Sequence, residues 1–427
     1  MSLAIPAALR PALAQPVAVF GEGVSGQGVL ALLRVLGLPG VTYDERGTGF
    51  TAERASGHAL VVFSPGFAAN HPWIQLAQAA GLECLGEIDF AAQFWKGRVI
   101  AITGTNGKTT LTEFLTHAQR QEWEVAHAVG NIGRPLARLV ADTAGGTADD
   151  LAVCEVSSFQ AETMRHFRAE AVLWTNFAED HLDRHADLRA YFEAKWRLVT
   201  TAAPQLVVIG ASVARHAREL GIDPGGATVV DTEGQASDPE LHDTVFSAYP
   251  QRENFIVALA WWRAVKRPPA KLYAAARSFR LGRHRLAKIE GHGGATWWND
   301  SKGTNFHAVE GALRGFERPV HLILGGKRKG GDVAAFVARI APRVAHAYLI
   351  GEAAPALAEA CATAGIAHTA SGTLMAAVTA AASVTHPRDH ILLSPGFASF
   401  DQFRNYEERG ETFERLVQEL GNPAAIR

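Results

Sequence analysis

Short uninterrupted apolar runs alternate along this chain with longer stretches whose apolar residues recur at helical spacing. Val17–Phe20, Ala59–Phe63, Val99–Thr103, Leu151–Val156, Ala171–Trp174, Leu206–Ile209, Val320–Leu324, Ala345–Ile350 and His390–Leu393 each read as a strand buried on both faces. That is the form expected of parallel sheets. Between them lie Ala- and Leu-rich segments of helix length. The Ala-rich stretch Ala353–Ser383 reads as two helices on the last sheet. Strand, helix, strand repetition predicts open α/β sheets. Two breaks interrupt it. One, near Phe94–Arg98, precedes a fresh strand and a glycine-rich loop. The other, near Arg280–Arg285, is a basic cluster before another strand. Three domains are expected, at residues 1–96, 97–281 and 282–427. A chain of 427 residues is too long for one core, since a domain holds roughly 100–200 residues.

Composition adds exclusions. The chain is 48% apolar with a formal charge of −2, which gives no long-range attraction for polyanions, so nucleic acid binding through a basic face is not expected. Cys84, Cys154 and Cys361 are far apart and form no Cys-x-x-Cys pair. Buried thiols are expected rather than a disulfide framework or zinc site. Pro6, Pro11 and Pro16 interrupt the beginning where a secretory segment would be apolar, and no run of about 20 apolar residues occurs. A cytoplasmic protein without a membrane span is expected, and a monomer.

The first chemistry lies after Val99–Thr103. Gly104-Thr105-Asn106-Gly107-Lys108-Thr109-Thr110 follows that strand and leads into a helical pattern. A glycine-rich turn at a helix N-terminus cradles phosphate, because backbone N–H groups approach its oxygens and the helix dipole adds positive potential. Lys108 is placed to reach the terminal phosphates and the Thr109 hydroxyl to ligate Mg²⁺. The bland alternative is a surface turn with a solvated lysine.

A second glycine loop follows the first strand. Gly21, Gly23 and Gly26 form Gly-x-Gly-x-x-Gly around Val24 and Ser25, and Asp44-Glu45-Arg46 ends the next apolar run. This is the dinucleotide-binding pattern, weak when alone, and a plain tight turn accounts for it equally well. Ser64-Pro65-Gly66 ends a third strand at the same edge. Two glycine loops on two sheets suggest two phosphorylated ligands, an energy source and a substrate.

Polar residues directly after buried strands fall in the crevice where α/β proteins bind ligands. Glu155 ends one such strand, with Ser157, Ser158 and Gln160 following. Asn176-Phe177-Ala178-Glu179-Asp180-His181-Leu182-Asp183 follows another. Glu155 and His181 are candidates to hold magnesium, carboxylate being the more usual ligand. A helix-cap or core histidine is the alternative for His181.

In order and spacing, Gly104–Thr110, Glu155–Gln160, Asn176–Asp183 and Asn299-Asp300-Ser301-Lys302-Gly303-Thr304-Asn305 resemble the motif series of the Mur ligases. The resemblance runs from about Val17 to the end of the chain. It is strongest toward the D-glutamate-adding branch, in Asn299–Asn305, in Gly325-Gly326 with Lys329, and in Leu393-Ser394-Pro395 followed by Ser399–Phe403. It implies an N-terminal Rossmann-like UDP-binding domain, a central P-loop ATPase-like domain and a C-terminal Rossmann-like domain. It implies ATP and Mg²⁺ as cofactors. The implied reaction joins D-glutamate to UDP-N-acetylmuramoyl-L-alanine through an acyl phosphate, a step of peptidoglycan precursor synthesis.

The resemblance also implies roles. Thr109 and Glu155 hold one magnesium. His181 and Lys195 hold the other, with Lys195 carbamylated, since a bare ammonium would repel the ion; a solvated helix lysine is the alternative. Asn254, Arg285 and Asp300 contact adenine, phosphate and ribose. Lys302, Thr304, Lys329, Ser399 and Phe400 bind the amino acid, and Tyr406 could wall its pocket; Lys327 is the alternative to Lys329. Gly23–Ser25, Asp44–Arg46, Ser64, Gly66, Asn131, Ser157 and Gln160 serve the UDP-muropeptide. The chain departs from the family at the adenine segment, where Gln251-Arg252-Glu253-Asn254 replaces Gly-x-His-Asn, and Pro204–Pro250 is short. Three rival readings remain: a folate-type polyglutamate ligase, an ATP-controlled binding protein with an inactive site, and an NAD dehydrogenase.

Overall fold

The computed structural model describes residues 3–122, 124–182, 184–232, 238–289, 294–328, 330–384 and 386–420. Sixteen strands among them build three sheets. In the first, β1 (Val17–Phe20), β2 (Gly40–Tyr43), β3 (Leu60–Phe63) and β4 (Glu83–Gly86) run parallel in the order β2-β1-β3-β4. In the second, β5 (Arg98–Thr103), β6 (Ala126–Gly130), β7 (Leu151–Glu155), β8 (Ala171–Trp174), β9 (Leu206–Gly210) and β10 (Thr228–Val230) are also parallel, ordered β10-β9-β8-β5-β7-β6. The third holds β11 (Ala287–Ile289), β12 (Thr296–Asn299), β13 (Val320–Gly325), β14 (Val344–Ile350), β15 (His368–Gly372) and β16 (His390–Leu393), ordered β11-β12-β16-β13-β14-β15. It is parallel except where β11 runs antiparallel to β12.

All nine apolar runs are strands of these sheets. The Ala-rich stretch forms two helices, Ala354–Thr363 and Leu374–Val384, with β15 between them. The three thiols are buried and free. No helix among the described residues is long and apolar enough to cross a membrane.

Contacts divide the chain into two units. The first carries the first two sheets and consists of the chain up to Phe177, Arg184–Thr244 and Glu253–Phe279. The second carries the third sheet from Arg280 onward, together with Ala178–Asp183 and Val245–Arg252. One apolar cluster explains why two sheets share the first unit. It runs from Val17, Leu32 and Phe90 to Ala101, Ala152 and Phe167. Two buried carboxylates add polar joints within it. Asp89 accepts from the backbone N–H groups of Arg165, His166 and Phe167 at 3.0, 2.7 and 2.7 Å. Glu87 Oε1 accepts from Ala137 N at 2.7 Å. In the second unit each face of the sheet has its own core, one around Leu322, Leu324 and Phe336, the other around Ile323, Tyr348 and Phe413.

Strand order fixes where ligands can sit. In the second sheet β5 lies between β8 and β7, so connections leave it in opposite directions and a crevice opens beyond its carboxyl end. In the first sheet the reversal falls between β1 and β3.

Candidate active site

The phosphate loop stands at the crevice of the second sheet. β5 ends at Thr103, Gly104–Gly107 turns, and helix Lys108–Gln121 begins. The turn needs its glycines. Gly104 and Gly107 have φ of 153° and 82°, values that side chains with a Cβ rarely adopt. A Cβ at Gly104 would stand 2.0 Å from Thr175 Oγ1, and one at Gly107 would stand 2.2 Å from Asn254 Oδ1. The loop is braced from the segment after β8. Asn176 O accepts from Thr105 N at 3.0 Å, Asn176 Oδ1 from Asn106 N at 2.9 Å, and Thr175 Oγ1 donates to Asn106 O at 2.6 Å.

Cationic and anionic groups ring this loop. Lys108 Nζ donates to Gly104 O and Thr105 O at 3.0 and 2.9 Å, keeping its charge over the cradle. Lys195, on helix Leu188–Thr201, is only 1% exposed. Its Nζ donates to Gly104 O at 2.9 Å and lies 4.9 Å from the centre of the Tyr191 ring. It is a buried amine aimed at the loop, not a solvated helix lysine. Tyr191 in turn bonds Thr105 Oγ1 at 3.3 Å. Glu155 closes β7, in register with Ile102 on β5. Its Oε1 accepts from Asn131 Nδ2 at 3.0 Å, while Oε2 is buried with no hydrogen-bond partner. Thr109 is buried in the first turn of the helix. A buried carboxylate oxygen with nothing to bond, beside a phosphate cradle, suits a divalent cation. Among the described residues no three His, Cys, Asp or Glu side chains gather as a metal cluster.

Ser157 and Gln160 turn toward each other. Ser157 Oγ accepts from Gln160 N at 3.2 Å and Gln160 Oε1 accepts from Ser157 N at 3.0 Å, a capping box on the short helix Ser158–Ala161. The pair therefore shapes the edge of the crevice beside Glu155.

The glycine loop of the first sheet is built differently. Gly21 has φ 98°, and a Cβ at Gly26 would stand 1.9 Å from Gly21 O, so these two close the turn. Gly23 has open space around it and Val24 is 64% exposed. Asp44, beyond β2, accepts from Arg46 N and Glu22 N, both at 3.0 Å, and these donors hold its carboxyl below the usual range. Glu45 pairs with His71 at 3.2 Å. Ser64 Oγ donates to Phe20 O at 2.7 Å, tying β3 to β1 at the switch point. Arg184 reaches the carbonyls of Gly66 and Phe67 at 3.5 and 3.4 Å.

The remaining expected residues belong to the second unit. His181 has φ 56°, lies in the segment Ala178–Asp183, and lines a pocket with Asp180, Asn305, Phe306 and His307. Asn305 Nδ2 donates to Asp180 Oδ2 at 2.7 Å. Arg285 sits between His284 and Leu286, whose φ values of 63° and 51° mark a strained turn. Asp300 accepts from Ser394 Oγ at 2.8 Å and Leu286 N at 3.2 Å. Burial pushes its carboxyl up to about 7 despite these bonds. Lys302 Nζ lies 5.0 Å from the centre of the Tyr406 ring. Thr304 is half-buried, Ser399 buried and Phe400 66% exposed. Lys329 and Asp183 lie outside the described residues.

Several residues contribute contacts that their sequence positions did not assign to them. Thr175 and Asn176 brace the loop, and Glu253 bonds Asn176 at 3.1 Å. Arg409 is 1% exposed and donates to Ser301 O at 2.8 Å and Phe397 O at 3.1 Å, beneath the Ser301–Thr304 turn. Burial lowers its guanidinium to about 10. A long polar helix, Tyr406–Leu420, gave no sign that this arginine faces inward.

Comparison with known proteins agrees with this geometry. Residues 102–247 match the family model of the Mur ligase middle domain, and residues 284–397 that of the Mur ligase glutamate ligase domain. The UDP-N-acetylmuramoylalanine–D-glutamate ligase of Solibacter usitatus is 37% identical, with 90% of each chain covered. That of Pelobacter propionicus is 34% identical over 92% of this chain and 90% of its own. Among solved structures, UDP-N-acetylmuramate–alanine ligase MurC of Thermotoga maritima shares the fold at 14% identity and TM-score 0.60, covering 95% of this chain and 100% of that one. MurF ligase of the same organism, solved with ADP, has TM-score 0.57 at 15% identity, covering 84% and 95%. This chain belongs to the Mur ligase family, among the UDP-N-acetylmuramoylalanine–D-glutamate ligases.

Proposed function

We propose that this enzyme adds D-glutamate to UDP-N-acetylmuramoyl-L-alanine at the expense of ATP, in peptidoglycan precursor synthesis. One observation carries the chemistry: a braced phosphate cradle with Lys108 above it, and with Lys195 and the unbonded oxygen of Glu155 buried around it.

A carboxylate is a poor acyl donor because oxide is a poor leaving group. Transfer of the γ-phosphoryl group to the L-alanine carboxylate gives an acyl phosphate and ADP. The amine of D-glutamate then attacks the acyl carbon, the C–N bond forms, phosphate leaves, and the amine loses a proton. Charge builds on the phosphoryl oxygens in transit. Lys108 and the N–H groups at the start of helix Lys108–Gln121 oppose it with charge fixed before the reaction begins. Magnesium, when bound, would neutralise phosphate charge; Thr109 and Glu155 are the residues to hold one ion, His181 and a carbamylated Lys195 those to hold a second. Carbamylation turns a buried amine into an anion, the charge such a ligand needs.

The other roles follow the family match. Asn254, Arg285 and Asp300 serve adenine, phosphate and ribose. Lys302, Thr304, Lys329, Ser399, Phe400 and Tyr406 serve the amino acid. The loops at Gly23–Ser25, Asp44–Arg46 and Ser64–Gly66, with Asn131, Ser157 and Gln160, serve the UDP-muropeptide. The domain division at residues 96/97 and 281/282, a monomeric state and a cytoplasmic location complete the proposal. The test is phosphate release from ATP with each substrate omitted in turn. Release that persists without the muropeptide or without the amino acid would count against a ligase.

A further inference from the structure

The adenine segment departs from its family pattern at Glu253, and that residue has a place in the structure. Glu253 lies in the first turn of helix Gln251–Ala264 and is 7% exposed. A carboxylate there is favoured by the helix dipole. Its Oε2 accepts from Asn176 Nδ2 at 3.1 Å. Asn176 is itself 4% exposed, and its Oδ1 accepts from Asn106 N of the phosphate loop at 2.9 Å. Its backbone oxygen receives Thr105 N at 3.0 Å and Trp174 Nε1 at 3.1 Å.

We infer that Glu253 is a positioning residue for ATP, acting through Asn176 on the Thr105–Asn106 half of the phosphate loop. The inference rests on the proposed use of that loop for ATP. A primary amide has a donor end and an acceptor end, and rotation by half a turn exchanges them. Asn106 N can only donate, so it requires the oxygen end. A carboxylate can only accept, so Glu253 requires the nitrogen end. The two neighbours impose the same orientation, and the amide is locked. With the oxygen end fixed, Asn106 N stays committed to Asn176 and the turn holds its curvature. The N–H groups at the helix start then face the phosphates, since helix geometry leaves them without intrahelical acceptors. Asn254, the next residue, fills the space at Gly107. Glu253 and Asn254 thus hold the two halves of the loop from one helical turn. The substitution for histidine changes how the loop is held: a carboxylate accepts at both oxygens, while a neutral imidazole accepts at one nitrogen only.

The experiment compares Glu253→Gln, Glu253→Asp and Glu253→Met with the parent enzyme in the three-substrate phosphate-release assay. Gln keeps an acceptor at the same reach, Asp keeps the charge but withdraws the acceptor, and Met keeps the bulk without an acceptor. The KM for ATP should stay within about twofold for Gln, rise severalfold for Asp and rise about tenfold for Met, the size expected for loss of one charge-assisted hydrogen bond. The KM values for the muropeptide and D-glutamate should not move. Calorimetric titration with ATP alone should give the same ranking. Parent-like ATP constants for both Asp and Met would overturn the inference, as would equal rises in all three KM values. Glu253→Asp keeps the ranking readable should the Met variant not fold. A parent enzyme that binds ATP but releases no substrate-dependent phosphate would sink the ligase reading alone, and the titration ranking would still decide the role of Glu253.

Discussion

Two glycine loops leave two parallel sheets of the same unit, and they are built differently. Both follow an apolar strand at a point where connections reverse, and both lead into a helix. At Gly104–Gly107 the spaces a Cβ would need are filled by Thr175 and Asn254, and the backbone is bonded to Asn176. At Gly21–Gly26 the outer two glycines pack tightly, but Gly23 faces open space and Val24 is exposed. Charge is set differently too. Lys108 and Lys195 are turned onto the first loop, whereas Asp44 beside the second is held by backbone donors at the surface. Chemistry needs groups that do not rearrange as charge develops. Binding a large nucleotide-linked substrate needs an accessible edge. The glycine pattern alone does not separate the two loops; what fills the space around each glycine does.

Substitutions can break this contrast. Lys195→Ala should have the largest effect, leaving the enzyme nearly inactive, because it removes the group proposed to carry the carbamate. Short carboxylic acids added to that variant should restore part of the rate, and mass spectrometry or carbon-13 NMR with labelled bicarbonate should detect the carbamate in the parent. A fully active Ala variant would remove Lys195 from the site. Lys108→Ala should lower turnover on the order of a hundredfold or more while UDP-substrate affinity stays near normal. Near-normal turnover would remove the phosphate-loop assignment.

The glycines sharpen the comparison. Gly107→Ala places a Cβ 2.2 Å from Asn254 Oδ1 at φ 82°, so ATP affinity should fall at least about tenfold, with some loss of stability. Gly23→Ala meets nothing within 4 Å and has no positive φ, so the fold and ATP affinity should be unchanged and only muropeptide affinity can shift. Thermal melts and titrations with each ligand separate these outcomes. Equal damage from both would mean the loops are not distinct in kind.

The smallest effect concerns the joint between the two sheets. Burial raises the Glu87 carboxyl to about 7 from an ordinary value of 4.5. Between those values the folded state holds a proton that the unfolded state has released, so stability should fall as pH rises through this window. Glu87→Gln should flatten that slope in Tm measured from pH 5 to 7.5. An unchanged slope would assign the pH dependence elsewhere, with Asp300, also raised to about 7 from 3.8, the next group to replace.

Legibility in the sequence followed burial. Val17–Phe20, Ala171–Trp174 and His390–Leu393 are strands at those same bounds because both faces are covered and every residue is apolar or terminal. Ala126–Gly130, Thr228–Val230 and His368–Gly372 were not legible, since edge strands are covered only in part and keep polar residues. Ala287–Ile289 reverses direction against β12, and three residues carry no signal of orientation. At the site, the phosphate loop was readable because its parts are consecutive. The bond from Lys195 to Gly104 spans 91 positions, and only family resemblance joined the two. Asn176 lay within a recognised motif, yet its bond to Glu253 bridges 77 positions and follows from no pattern.

The central claim is that ATP cleavage on this loop is coupled to joining an acidic amino acid to a UDP-linked muropeptide. Its most direct test is phosphate release with UDP-N-acetylmuramoyl-L-alanine and, in separate reactions, D-glutamate, L-glutamate, D-aspartate and meso-diaminopimelate. The account predicts turnover with D-glutamate well above the other three and none when the muropeptide is omitted. Preference for L-glutamate or diaminopimelate, or phosphate release without the muropeptide, would contradict it.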